Sequence, residues 1–212
     1  MRYSSGVLTR RSMLAAGLAA GSMTAYPALA DLVATPRQTS GPFYPLDLPL
    51  DHDNDLTVVE GATRPALGDV IHVAGRVMQL DGTPIDGARV ELWQANAAGR
   101  YHHPRDGSGR ELDEGFQGFG RTITAADGSY RFKTVRPGLY TGRTRHLHFA
   151  VVVPDGRELV TQMYFADEPR NEFDGILKRI DDPAERADVV VAFSPTPGEA
   201  DSSTGRFDMV LA

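Results

Sequence analysis

From residue 69 onward, short runs of alternating apolar and polar residues are separated by turn sequences. Alternation with a period of two is typical of β-strands that bury one face. Pairs such as Asp127-Gly128 and Pro137-Gly138, which lie between the runs, favour tight turns. The pattern predicts an all-β fold, an antiparallel β-sandwich. The predicted strands cover residues 70–77, 88–95, 121–124, 130–135, 146–153, 159–165, 189–193 and 206–211.

Two stretches of the chain depart from this alternation. Residues 31–68 are rich in proline, which interrupts helices and strand pairing, and they predict an irregular N-terminal arm that precedes a sandwich domain at 69–212. Residues 171–180 predict one short helix, which we expect to end before Pro183.

Residues 1–30 have the layout of a twin-arginine signal peptide. The pair Arg10-Arg11 precedes a short run of small apolar residues, and Ala30 ends a small-residue cleavage site. A membrane anchor is the alternative, but the run is shorter than the roughly 20 residues that a spanning helix needs. We therefore predict export to the periplasm or the extracellular space, with no membrane span after cleavage.

Charge and cysteine content indicate which binding partners are unfavourable and whether disulfides can stabilise the protein. The leader carries three arginines and no acid, so its removal changes the formal net charge from −6 to −9. Such an acidic chain is a poor partner for nucleic acid. The sequence contains no cysteine, so no disulfide stabilises the exported protein.

The strongest chemical signal is a pair of histidines two residues apart in a predicted strand. His146 and His148 project from the same face of that strand, while Leu147 projects from the other. A His-x-His pair is by itself compatible with a simple polar stripe. Two tyrosines that follow turn sequences, Tyr101 and Tyr140, make a metal site the better interpretation.

Two phenols and two imidazoles favour one kind of metal ion. A free tyrosine has a pKa of about 10, so it binds as phenolate only beside a strongly acidic ion. Phenolate is a hard anion and favours Fe(III), whereas Zn²⁺ prefers histidine, cysteine or carboxylate. Calcium would require a carboxylate cluster, and the nearby acids lack the spacing of a calcium loop.

An ordered series of motifs resembles the intradiol ring-cleavage dioxygenases, and it covers residues 36 to about 167. The protocatechuate-type branch is the more similar one, because the arm is too short for the helical domain of the catechol-type branch. The motifs are GPFY at 41–44, GARVELWQAN at 87–96, GRY at 99–101, FQGFGR at 116–121, DGSY at 127–130, PGLY at 137–140, RTRHLHF at 143–149 and TQMYF at 161–165.

The resemblance implies an enzyme that uses O₂ to cleave a catechol-type ring between its two hydroxylated carbons, giving a cis,cis-muconate. It implies Tyr101, Tyr140, His146 and His148 as ligands of Fe(III), with Tyr140 and His146 axial. Tyr140 would then be displaced by the substrate and take its proton. The family is usually oligomeric, so a homo-oligomer is expected.

The resemblance also implies roles around the ion. Arg143 would stabilise developing negative charge, and Gln162 matches a position that hydrogen-bonds near that arginine. Tyr44 and Trp93 are candidate walls of the substrate pocket, although the only tryptophan could equally be a core residue.

Some features remain open at this point. Arg145 is an extra charge compared with the family pattern, and the connection from Tyr140 to His146 is short, so the identity of the catechol is not carried over. Two other classes compete with the dioxygenase. An exported, non-enzymatic prealbumin-like binding module would explain the turns but not the histidine pair, and a cupin would require a histidine after His148, where the sequence has none. We expect His102 and His103 to be solvated.

Overall fold

The structure is a computed structural model that describes residues 32–49, 51–140 and 142–212. The predicted leader, residues 1–30, lies outside the described residues. No helix in the described part of the chain is both long and apolar enough to cross a membrane.

Within the described residues, ten strands form two five-stranded sheets, which confirms the predicted all-β sandwich. In the first sheet β1 is central, pairing with β4, β9 and β10, and β8 extends it beyond β9; the second has the order β3-β2-β5-β6-β7. The strands are β1 (Val70–Gln79), β2 (Arg89–Trp93), β3 (Phe119–Ile123), β4 (Ser129–Val135), β5 (His146–Val152), β6 (Glu158–Phe165), β7 (Val190–Val191), β8 (Phe193–Pro195), β9 (Ser202–Arg206) and β10 (Met209–Leu211).

Both sheets are mixed rather than purely antiparallel. The hairpin-connected strands pair antiparallel, but β1 pairs in parallel with β9 and β10, and β6 pairs in parallel with β7. Parallel neighbours need a long crossover connection. The segment between β6 and β7, which contains all the helical turns, provides one such crossover.

The helix predicted at 171–180 is wrong in position. That stretch instead carries two 3₁₀ turns, Pro169–Phe173 and Leu177–Arg179, and the α-helix α1 (Pro183–Asp188) begins at the proline that was expected to end it. Asp182 caps α1 by accepting hydrogen bonds from two backbone N–H groups, and a proline in the first turn loses no helical hydrogen bond.

The two faces of β5 enter different clusters. Leu147 and Phe149 pack into the main apolar core between the sheets. His146 and His148 project from the opposite face, where Trp93 and Tyr101 belong to a second cluster. The alternation along β5 therefore places both imidazoles on one face, as predicted, and that face lies outside the main core.

The irregular arm covers this second face without forming a regular strand. Its backbone donates from Thr35 to the Val210 carbonyl of β10 in the first sheet and from Gln38 to the Val160 carbonyl of β6 in the second sheet. Gly41 has φ +69° and lies so close to His148 that an added Cβ would be 3.2 Å from the imidazole Cε1. The arm therefore closes over the histidines at a position that favours glycine.

Candidate metal centre

The four predicted ligands come from one strand and two connections at the same end of the second sheet. His146 and His148 lie on β5, Tyr140 lies in the connection before it, and Tyr101 follows β2. The two connections touch at Gly99, because a Cβ there would collide with the carbonyl oxygen of Leu139. This close backbone approach brings both tyrosines to one place.

The four side chains converge. Tyr140 Oη is 3.1 Å from His146 Nε2, and His146 Nε2 is 3.2 Å from His148 Nε2. The Tyr101 ring lies 5.5 Å from the Tyr140 ring and 6.3 Å from the His148 ring, centroid to centroid. The buried Tyr101 Oη and His148 Nδ1 find no hydrogen-bond partner among the described residues.

His146 is prepared as a lone-pair donor, and both imidazoles are neutral. His146 Nδ1 lies 2.8 Å from the Thr144 carbonyl oxygen and must donate to it, so Nε2 keeps its lone pair. Burial, reinforced by the Arg143 charge, lowers the pKa of His146 to about 3. Burial also lowers the pKa of His148 well below its usual value, with His146 as a further cause. Both rings are therefore neutral at physiological pH.

Without a cation the tyrosines are neutral as well. Burial raises the pKa of Tyr101 well above its usual value, and the neighbouring Tyr140 adds to the effect. Burial also raises the pKa of Tyr140, although the Arg143 charge opposes that shift. A bound cation would be needed to ionise them.

The donor set fits a single metal ion. Ligand bonds of about 2.0–2.1 Å place adjacent donors on one ion roughly 3 Å apart and opposite donors roughly 4 Å apart. The Tyr140, His146 and His148 donor atoms have the adjacent spacing, so the structure does not show the opposite, axial arrangement that the resemblance implied for Tyr140 and His146. In the part of the chain that the structure describes, no three His, Cys, Asp or Glu side chains group in a way that could hold a metal. The two phenols are therefore what raises the donor number to four.

Arg143 and Gln162 meet beside the cradle, the cluster formed by the Tyr101, Tyr140, His146 and His148 side chains. Arg143 Nη1 lies 3.5 Å from Tyr140 Oη and 3.3 Å from His146 Nε2. Arg143 Nη2 donates to Gln162 Oε1 at 2.7 Å, and Gln162 Nε2 donates to the Thr39 carbonyl at 2.8 Å. The amide of Gln162 is thus oriented by the arm on one side and by the arginine on the other.

The two predicted pocket-wall residues differ in their distance from the cradle. Trp93 is fully buried and stacks on His148, with centroids 5.0 Å apart and planes 8° from parallel. Its indole N–H donates to the Ser40 carbonyl at 3.3 Å. Tyr44 packs edge-on against Trp93 and donates to Glu91 Oε2 at 2.9 Å, one layer further out. The substrate-pocket role of both residues stays a prediction.

Two cavities border the cradle on different sides. One of about 390 Å³ is lined by Tyr101 and Phe43, and one of about 250 Å³ by Arg143 and Phe173. A larger cleft, about 680 Å³, lies between the arm and α1 and contains none of the candidate residues. The volume of a cavity therefore does not identify the candidate metal centre in this protein.

Three residues near the centre were missed or misjudged at the level of sequence. Phe43 packs on Tyr101 with ring centroids 4.6 Å apart, and only its motif pointed to it. His103 is buried rather than solvated, because it packs against Phe43 and accepts from the Arg105 N–H. Asp174, a fully buried partner of Arg143, had no local sequence signal.

Comparison with protein families and known proteins identifies the family of this chain. A family model described as "Dioxygenase" matches residues 39–212. The beta chain of protocatechuate 3,4-dioxygenase from Burkholderia cepacia is 40% identical over 172 residues, which are 77% of this chain and 72% of that protein. The chain belongs to the intradiol ring-cleavage dioxygenase family.

Other members of the family show how far the likeness extends. The alpha chain of the Burkholderia cepacia enzyme is 32% identical, with 76% of this chain and 84% of that protein covered. Catechol 1,2-dioxygenase from Candida albicans is 29% identical over 81% of this chain, but the match spans only 58% of that protein. The intradiol dioxygenase described here is accordingly an oxidoreductase.

Solved structures support the same fold. The dioxygenase domain of a carbohydrate-binding fusion protein from Streptomyces sp. SirexAA-E superposes with a TM-score of 0.65 at 32% identity, covering 84% of this chain and 98% of that domain. An intradiol ring-cleavage dioxygenase from Tetranychus urticae gives 0.66 at 20% identity, covering 84% of this chain and 94% of that one, a likeness of fold alone.

Proposed function

We propose that this dioxygenase uses Fe(III), held by Tyr101, Tyr140, His146 and His148, to cleave a catechol-type substrate with O₂ between its two hydroxylated carbons. The observation that carries the proposal is the convergence of two neutral imidazoles and a phenol within 3.1–3.2 Å, next to a buried tyrosine hydroxyl that has no protein partner among the described residues.

When bound by these four residues, the ion would supply the Lewis-acid chemistry that allows a catechol ring to react with O₂. The protein's own contribution begins at Tyr140 Oη. Tyr140 is the less buried of the two tyrosines, and its hydroxyl lies between His146 and Arg143. As a phenolate it would accept a proton from a catechol hydroxyl and turn away as a neutral phenol.

Arg143 supports that exchange electrostatically. Its Nη1 faces the Tyr140 hydroxyl and would stabilise negative charge that develops on substrate oxygens. Gln162 holds Nη2 through a 2.7 Å hydrogen bond and is itself fixed by the arm. A pre-oriented donor needs no rearrangement during the reaction, which makes the interaction stronger in the transition state.

Trp93 and the arm would exclude water from the imidazoles. The indole covers one face of His148, and Gly41 approaches the ring from the arm. A dry site strengthens every electrostatic interaction within it.

The test is to measure iron, colour and oxygen uptake on one preparation. Phenolate-to-Fe(III) charge transfer should colour the purified protein red to burgundy, and a panel of catechol, protocatechuate, hydroxyquinol and chlorinated catechols should reveal oxygen uptake with a ring-opened dicarboxylate product. A colourless protein that stays inert towards the whole panel after ferric reconstitution would refute the proposal.

We also propose an assembly of several chains. This protein resembles both the alpha and the beta chain of one enzyme, at 32% and 40% identity, which supports association of like folds. Light scattering coupled to size-exclusion chromatography should give a mass that is a multiple of the single chain; a monomer at micromolar concentration would contradict the idea.

Export remains a proposal that rests on residues 1–30. The paired arginines and the small-residue cleavage site support a twin-arginine route to the periplasm or the extracellular space. Replacing Arg10 and Arg11 by lysine should leave the protein in the cytoplasmic fraction, whereas unchanged fractionation would contradict the twin-arginine assignment.

A further inference from the structure

Three consecutive residues ahead of β5 are each bonded to the segment 168–174, which contains the first 3₁₀ turn. Arg143 pairs with Asp174, and Arg145 pairs with Glu168, both at 2.8 Å. Between them, Thr144 Oγ1 donates to Asn171 Oδ1 at 2.8 Å. The last three residues of the connection that carries Tyr140 are therefore attached to this segment.

Asp174 is the more deeply buried of the two acids in this contact, at 1% exposure against 8% for Glu168. Its carboxylate accepts from three backbone N–H groups and from Arg143, whereas Glu168 accepts from one backbone N–H group and from Arg145. Oδ2 accepts from Arg143 Nε at 2.8 Å and from the Thr144 N–H at 3.0 Å. Oδ1 accepts from the Ile176 and Leu177 N–H groups, both at 2.9 Å, and Arg143 Nη2 is 3.5 Å away. Hydrogen bonds from the backbone thus fix the carboxylate independently of Arg143.

The three guanidinium nitrogens of Arg143 consequently have separate partners. Nε is bonded to Asp174, Nη2 is bonded to Gln162, and Nη1 alone faces Tyr140 Oη and His146 Nε2. An unrestrained arginine has several long rotamers, and ordering it opposes its conformational entropy. Because Asp174 and Gln162 are fixed acceptors for Nε and Nη2, only one orientation of the guanidinium remains.

We propose that Asp174 is a positioning residue: it fixes the guanidinium so that Nη1 is the nitrogen presented to the substrate oxygens, an inference that rests on the proposed function. The carboxylate is suited to this task because it is ionised. Burial opposes its ionisation, but hydrogen bonds from Arg143 and from the Leu177 and Thr144 backbones outweigh it, so the pKa of Asp174 is lowered.

The test compares Asp174→Asn with Glu168→Gln, a matched control in the same segment. Both replace a carboxylate that pairs with an arginine, but Glu168 contacts Arg145 and not Arg143. We expect Asp174→Asn to lower kcat by about 10- to 100-fold, because small misplacements of a catalytic group have effects of that order. Glu168→Gln should stay within about twofold of the wild type, because the contacts of Asp174 and Gln162 that orient Arg143 remain.

Non-additivity separates positioning from general damage. In an Arg143→Ala background there is no guanidinium to position, so Asp174→Asn should add no more than about a twofold further loss. Losses that multiply in the double variant, or equal losses in Asp174→Asn and Glu168→Gln, would overturn the proposal.

A second readout needs neither iron nor turnover. The Arg143 Nε–H resonance, assigned by its absence in Arg143→Lys, should exchange slowly with water in ¹⁵N NMR of the wild type and of Glu168→Gln. The Nε–H proton should exchange fast in Asp174→Asn. It should also exchange fast in Asp174→Glu, which keeps the negative charge but displaces it. The Asp174→Glu variant takes the place of Asp174→Asn if Asp174→Asn does not fold. Slow exchange in the folded Asp174 variant would refute the positioning role. Wild-type protein without oxygen uptake would instead refute the proposed function, while the NMR result still decides whether Asp174 holds Arg143.

Discussion

The two faces of β5 are equally buried and yet do opposite things. Phe149 is 0% exposed and His148 is 2% exposed, so burial alone does not distinguish them. Phe149 packs against Phe132 and Phe207 in the core between the sheets. His148 is covered by Trp93 and the arm, and its Nδ1 has no partner among the described residues. The difference shows that one strand can contribute one face to the core and the other face to the candidate metal centre.

The largest expected effect is on iron binding and concerns the histidine face of β5. His148→Ala should abolish iron retention and oxygen uptake, because it removes one of only two imidazoles in the cradle. The free energy of unfolding of the metal-free protein should change far less than the affinity for iron. Iron content by mass spectrometry of the purified variant checks this.

His72→Gln provides the control for that experiment. His72 is also buried, but it lies on β1 and bonds to Glu199 and Arg131, as expected for a satisfied strand histidine. This variant should retain iron at the wild-type level. Equal iron loss in both variants would mean that burial of histidine, rather than position in the cradle, explains the result.

The next largest effect concerns the core face. Phe149→Ala should lower the free energy of unfolding by about 3–5 kcal/mol, the range for removing a buried phenylalanine. Iron per folded molecule should remain close to the wild-type value, since Phe149 points away from the cradle. Urea unfolding of the metal-free protein, together with iron analysis of the folded fraction, measures both. Loss of iron without loss of stability would contradict the division between the faces.

A smaller effect tests the arm that closes the second face. Gly41→Ala introduces a Cβ at φ +69°, 3.2 Å from the His148 ring, and should weaken iron retention as well as stability. Gly61→Ala is matched in backbone conformation at φ +80° but meets no atom within 4 Å. Both should lose about 1–2 kcal/mol of stability from the left-handed backbone, and only Gly41→Ala should release iron faster to a chelator. Equal release rates would show that the arm does not shape the site.

The strand pattern was sufficient to predict the part of the site that depends on local periodicity. His146 and His148 share a face because a strand alternates sides, and the tyrosines were found through turn sequences and motifs. Contacts between distant segments were beyond this reasoning. Asp174 is bonded to a residue 31 positions away, and nothing local distinguishes it from other aspartates.

Backbone hydrogen bonding by side chains explains the misplaced helix. Asp174 accepts from the Ile176 and Leu177 N–H groups and so favours separate turns over a continuous helix across 171–180. Asp182 also accepts hydrogen bonds from backbone N–H groups that follow it, and it thereby caps the start of the helix Pro183–Asp188. The parallel pairs of β1 and β6 likewise depend on which sheet each later strand joins, a choice that alternation alone does not encode.

The most direct test of the central claim is the visible absorption spectrum of the ferric protein with each tyrosine replaced in turn. If Tyr101 and Tyr140 both bind the ion, Tyr101→Phe and Tyr140→Phe should each shift and weaken the phenolate charge-transfer band, and the double variant should lose it. A band that survives in the double variant would place the phenolates elsewhere and contradict the account.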